Sequence, residues 1–321
     1  MIKKITLLII IILEFIVGGF FLYRYYHFAK KDPIVAELNS ENIEVNTDSE
    51  FEYFWELKSY TIEVDQPDWL EEKAVYTYNN DGLNERYNYE IEKKEDVIRI
   101  IALGDSFTFG LFINTFQNWT ELLEDELNNS TDLCPNKTFE VINLGVSGYD
   151  LPYITERYER KGKKYNPDLV VWFESNSGFF RNKELSEALV RECANNSSGV
   201  KLDMFSYGEC YYQADKELED KYGLDGLAKI NNMFFEKFFK NADIEKTIFF
   251  GFESLSLSKD YTEALNLRLT TYPLMEFRKI IPDIWELDYL LLDGHPNKEG
   301  HETIKDAIFE SIKFDLKEIC F

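Results

Sequence analysis

The chain has 321 residues and carries 59 acidic against 35 basic side chains, a net charge of −24. Such an acid excess repels phosphate backbones and sets nucleic-acid binding aside, while the length leaves ample room for an enzyme-sized core. No internal repeat and no low-complexity tract is present, which excludes solenoid and disordered designs.

The charge is uneven. Residues 1–31 hold five Lys/Arg and one acid, so the remainder has 30 basic against 58 acidic side chains. Within that first stretch, ITLLIIIILEFIVGGFFLY (5–23) is apolar apart from Thr6 and Glu14. As a helix it spans a hydrocarbon core of ~30 Å. A small-x-small cleavage site is missing, and the aromatic-basic YRYYHFAKK that follows suits a membrane interface. Residues 1–31 are expected to be an uncleaved membrane anchor with its flanks. Basic residues stand on both sides of the span, so their balance does not choose an orientation. The short N-terminal tail and large following domain favour a single-pass protein with its domain outside the cytoplasm.

Residues 32–95 are expected to form a polar tether and a small strand-rich extension. FEYFWELKSYTIEV (51–64) and AVYTY (74–78) alternate apolar and polar positions, and Asn80-Asp81-Gly82 reads as a turn. From residue 96 to 321 the rhythm changes. VIRIIAL (97–103), FEVINL (139–144), DLVVWF (168–173) and TIFFGF (247–252) are apolar runs of strand length. Helical spacing marks 118–128, 151–165 and the tail after 297, where Ile304, Ala307, Ile308 and Ile312 share a face. Alternating strands and helices predict a mostly parallel sheet covered on both sides. Residues 178–246 are an insertion; Leu224, Leu227, Ile230, Phe234 and Phe238 are spaced as a helix that packs on the domain.

Four cysteines, in a domain expected to be exported, permit two disulfides. Cys193 with Cys210 closes a polar loop and leaves Cys134 with Cys320; spacing alone proves neither. No C-x-x-C occurs and histidine is scarce, which argues against a zinc site.

In parallel sheets, ligands collect at the carboxyl ends of the strands. Gly104-Asp105-Ser106 ends the first strand and sets a serine at its tip, where Ser and Asp also serve as helix caps. NLGVSGYD (143–150) follows the next strand; Gly145 and Gly148 there let backbone approach a ligand. FESNSGFF (173–180) follows the third and supplies the side-chain amide of Asn176. LLDGHPNKEGHETI (291–304) holds two of the three histidines. A serine nucleophile needs a base, and His295 stands two residues after Asp293, which could hold the imidazole in the right tautomer.

In this order, GDSFTFG, NLGVSG, PDLVVWFESN and DGHPNKEGH resemble the blocks of the SGNH (GDSL-type) hydrolase family. VYTYNNDGLNER (75–86) also resembles the lead-in of some members. The resemblance covers roughly residues 75–180 and 285–312. It implies a three-layer α/β/α, flavodoxin-like fold and carboxylic-ester hydrolysis through an acyl-enzyme on Ser106, with no cofactor. His295 would be the base and Asp293 its orienting acid. The Ser106 amide, Gly148 and Asn176 would form the oxyanion hole. Two features depart from the pattern. The family commonly places the acid three residues before the histidine, where this chain has Leu292, and Asn176 is followed by Ser177 where Asp is usual. The implied substrate is a small-molecule or glycan ester. Two other readings remain: an O-acyltransferase or deacetylase working on cell-surface glycans, and a catalytically dead binding module.

Overall fold

A computed structural model describes residues 43–45, 50–175, 181–196, 204–252, 276–280, 284 and 287–320. The expected anchor at 5–23 lies outside the described residues. Among the described residues, no helix is long and apolar enough to cross a membrane.

The centre is a five-stranded sheet built from β5 (Val97–Gly104), β6 (Thr138–Asn143), β7 (Leu169–Glu174), β8 (Thr247–Phe252) and β9 (Glu276–Ile280). Every neighbouring pair is parallel, and the order across the sheet is β6-β5-β7-β8-β9. Counted from the first of these strands, that is 2-1-3-4-5, the flavodoxin-like order, whose switch point lies beside β5. The four apolar runs read from the sequence are four of these strands. The fifth, β9, was not anticipated; EFRKI has neither the apolar run nor the β-branched density of the others.

Alternation along β5 divides the core. Ile98, Ile100 and Ala102 face one way, toward Trp119, Leu123 and Leu127 of α2 (Trp119–Asn129) and Ile304, Ile308 and Ile312 of α6 (Lys298–Cys320). Ile101 and Leu103 face the other way, toward Leu151 and Ile154 of α3 (Leu151–Arg157) and Phe235 and Phe238 of α5 (Met204–Phe239). Period-2 side chains thus feed helices on both faces, giving three layers.

The helix expected over 151–165 is regular only to Arg157 and continues as a π-turn and a 3-10 turn to Tyr165. The insertion holds α4 (Lys183–Asn196) and α5, which kinks at Gly223. Its packing face is centred on Phe235 and Phe238, with Phe234 only partly buried.

The extension pairs β1 (Ile43–Val45) with β2 (Trp55–Leu57), and β3 (Ile62–Asp65) with β4 (Ala74–Thr77), both antiparallel. The turn at 80–82 closes only an isolated bridge, Tyr78 to Asn84. Phe54, Leu57, Trp69, Tyr76 and Leu83 join the same core cluster as β5 and β6. Buried Arg157 ties the two parts: it pairs with Glu56 and donates to the Leu144 and Gly82 carbonyls. Two disulfides, Cys134–Cys320 and Cys193–Cys210, each have Cα atoms 5.6 Å apart. The first fastens the end of α6 behind the sheet; the second joins α4 to α5.

Candidate active site

At the end of β5 the chain turns directly into α1 (Ser106–Phe109). A Cβ on Gly104 would come within 2.1 Å of Thr108 Oγ1 and 2.8 Å of the Phe173 carbonyl oxygen, so only glycine permits this close turn. Asp105 caps the helix, its carboxylate accepting from the Phe107 amide at 3.0 Å and from the Ser175 hydroxyl at the end of β7. Ser106 is the first helical residue, so its own amide has no acceptor within the helix. The capping reading and the nucleophile reading of Asp105-Ser106 therefore coexist: the cap aims the serine.

Residues 290–297 form the opposing loop. The Leu291 amide donates to His295 O at 2.7 Å, and the Gly294 amide to Leu291 O at 3.0 Å, with Gly294 at φ 93°. Asn297 accepts from the Gly300 amide at 2.9 Å and starts α6. This tight turn folds Asp293 back onto the histidine two residues later. Asp293 Oδ1 accepts from the His295 amide at 3.1 Å, and Oδ2 lies 2.6 Å from Nδ1. A carboxylate only accepts, so Nδ1 carries the hydrogen and Nε2 is left as an acceptor. Nε2 lies 2.9 Å from Ser106 Oγ, a contact between residues 189 apart in sequence. A two-residue spacing is thus sufficient for the contact, while Leu292, in the position the family usually gives the acid, is 49 % exposed.

Two aromatic rings that the sequence reading did not single out hold the imidazole. Phe107 lies 5.4 Å from it and Phe112 lies 5.7 Å away, edge-on. Phe112 has φ 67°, a costly backbone for a bulky residue. Its amide donates to the Tyr76 hydroxyl at 2.8 Å and its ring meets Trp69 at 4.9 Å, so the extension helps to hold it there. At the end of β3, Asp65 is pushed up to about 6, by burial first and then by the charges of Glu63 and Asp293. A positive φ and a through-space carboxylate leave no mark in a sequence pattern.

The remaining candidates fall differently. Gly148, at φ 78°, lies on the loop after β6 and lines a cavity of about 460 Å³ with Arg181, Lys183 and Asp215. Gly145 serves packing rather than a ligand: a Cβ there would come within 2.4 Å of the Phe109 amide nitrogen in α1. Asn176 and Ser177 lie outside the described residues. His301 is fully buried, its Nδ1 accepting from the Trp119 amide at 3.2 Å. Burial, and then the proximity of His295, press its pKa down to about 3.

No protein-family model and no curated protein matches the chain. Over about two thirds of its length it is similar to several solved esterases and lipases. An esterase from Pseudoalteromonas sp. is 18% identical, with 68% of this chain and 98% of that one covered, at a TM-score of 0.40. A lipolytic protein of the G-D-S-L family from Desulfitobacterium hafniense is 16% identical, covering 66% and 98%, at 0.37. A family 3 carbohydrate esterase from Clostridium thermocellum is 13% identical, covering 70% and 100%, at 0.41. Among the described residues no cluster of His, Cys, Asp and Glu is suited to hold a metal ion.

Proposed function

We propose that the chain is a serine hydrolase that cleaves carboxylic esters through an acyl-enzyme on Ser106. One observation carries the reading: the hydroxyl of Ser106 lies 2.9 Å from His295 Nε2 while Asp293 Oδ2 lies 2.6 Å from Nδ1. His295 takes the hydroxyl proton as Oγ attacks the ester carbonyl. The tetrahedral intermediate collapses and the carbon–oxygen bond to the alcohol breaks. His295 returns the proton to the departing oxygen, and Asp293 steadies the imidazolium formed in between. Water, deprotonated by the same imidazole, then attacks the acyl-enzyme and frees the acid and Ser106. The Ser106 amide at the start of α1 is a donor for the oxyanion. Gly148 and Asn176 are the partners that the sequence resemblance assigns to it.

A membrane anchor at 5–23 and an extracytoplasmic domain belong to the same proposal. The apolar stretch supports the first, and two disulfides, which persist in oxidising compartments, support the second.

The test is covalent labelling with a fluorophosphonate probe. The wild-type chain is expected to be labelled on Ser106, and Ser106→Ala to lose the label together with ester turnover. Labelling that persists in Ser106→Ala rejects the assignment.

A further inference from the structure

A second cavity, of about 420 Å³, lies against the loop that carries His295 and reaches that histidine through Phe112; Ser106, Asp293 and His295 do not themselves line it. Its volume is within the usual span of small-molecule pockets, about 300–1,000 Å³. Its apolar walls are Trp69 and Leu70 from the extension, Phe112 and Ile113 after α1, and Leu291 and Leu292 from the loop that carries Asp293 and His295. Phe112 is shared: its ring stands edge-on to His295 and also lines the cavity. Gly148 is no part of this lining and belongs to the separate cavity with Arg181 and Lys183.

The reaction itself assigns the two halves of an ester. The imidazole must give its proton to the departing oxygen, so that oxygen ends beside Nε2 and its substituent extends along the histidine's side. The walls that await it there are His295's own loop and a phenylalanine held in a strained backbone by Tyr76 and Trp69. We propose that this cavity is the subsite for the alcohol half of the ester, and that it takes a bulky apolar alcohol, aryl or branched alkyl. The assignment rests on the ester-hydrolase reading of Ser106. Glu71, Glu72 and Lys298, which also line it, are exposed, so the cavity has a charged rim beside its apolar walls. By reversal of the same step, an apolar alcohol seated here is also the acceptor that could resolve the acyl-enzyme in place of water.

Protection of Ser106 tests this in the full-length chain, without needing the natural substrate. Benzyl alcohol is expected to slow fluorophosphonate labelling of the wild type, and methyl glucoside at equal concentration to leave the rate unchanged. In Leu292→Arg, a change at a half-exposed position, about tenfold more benzyl alcohol is expected for the same protection, the size that one altered apolar contact brings. An unchanged thermal midpoint in that variant shows that the fold is intact. Protection by the glucoside rather than benzyl alcohol, protection by neither, or the same protection in Leu292→Arg overturns the assignment of the cavity. A wild type that takes no label on Ser106 overturns the hydrolase reading and this one with it. Labelling without protection overturns the cavity alone.

Discussion

Two adjoining regions near the C-terminus use histidine in opposite ways. In the loop, His295 is partly open, with 21 % of its side chain exposed, and both ring nitrogens have polar partners. Six residues later, at the start of α6, His301 is sealed between α6 and α2, with one nitrogen accepting from a backbone amide. In the first environment a carboxylate lies 2.6 Å from the ring. The second disfavours an imidazolium, because burial leaves a charge unsolvated. Residue type is the same; burial and the partners within reach differ.

Removing the open histidine is expected to have the largest effect. His295→Ala should lower turnover by about 10⁴–10⁶-fold with little change in the thermal midpoint, and His301→Asn should leave turnover within a few fold. Steady-state kinetics with a chromogenic ester checks both; the reverse ranking would break the comparison. Asp293→Asn removes the acceptor that sets the tautomer and should cost about 10⁴-fold in kcat. Equal activity in that variant would mean that another group orients the ring.

Stability should respond in the other region. Cutting the Cys134–Cys320 bridge by Cys134→Ser frees the end of α6 and is expected to cost about 2–5 kcal/mol in denaturant unfolding, with kcat retained. The buried imidazole should make the fold acid-sensitive. The folded-state pKa of His301 lies near 3, below the ordinary 6.5, so the unfolded chain binds the proton first. Its contribution is complete above about pH 6.5 and is lost as the pH falls toward 3, a loss of roughly 4 kcal/mol. In His301→Asn that acid limb should flatten.

A smaller and opposite slope belongs to Glu124 in α2. It accepts from the Val141 amide and the Tyr89 hydroxyl, and burial, followed by Glu121's charge, raises its carboxyl to about 7. A raised carboxyl favours the folded state at low pH, so this contribution declines as the pH climbs from about 4.5 to 7. Glu124→Gln should remove roughly 1–3 kcal/mol of that decline. A thermal-midpoint profile over pH 3–8 reads both slopes, and identical profiles for wild type and both variants would refute them.

Much of the scaffold was legible in the chain itself. Four apolar runs, each broken by polar residues at its end, mark buried parallel strands, because such a strand sees hydrophobic neighbours on both faces. The stripe at Ile304, Ile308 and Ile312 marks a helix, because its neighbours lie on one side only. Ser106, Asp293 and His295 could be named as candidates too, since chemistry restricts the choice to few residue types and the chain has three histidines. The strand β9 escaped, for EFRKI has no apolar run to announce it.

Local pattern thus determined most of the elements and a short list of candidate residues. Tertiary structure decided what they meet. It carried Ser106 across 189 residues to His295, turned Gly145 into a packing contact, and drew Trp69 and Tyr76 from the extension to set Phe112 beside the imidazole. Periodicity reports which face of an element is buried. It is silent on which other element does the burying, because that depends on strand order and on backbone turns whose energies are shared among residues far apart in the chain.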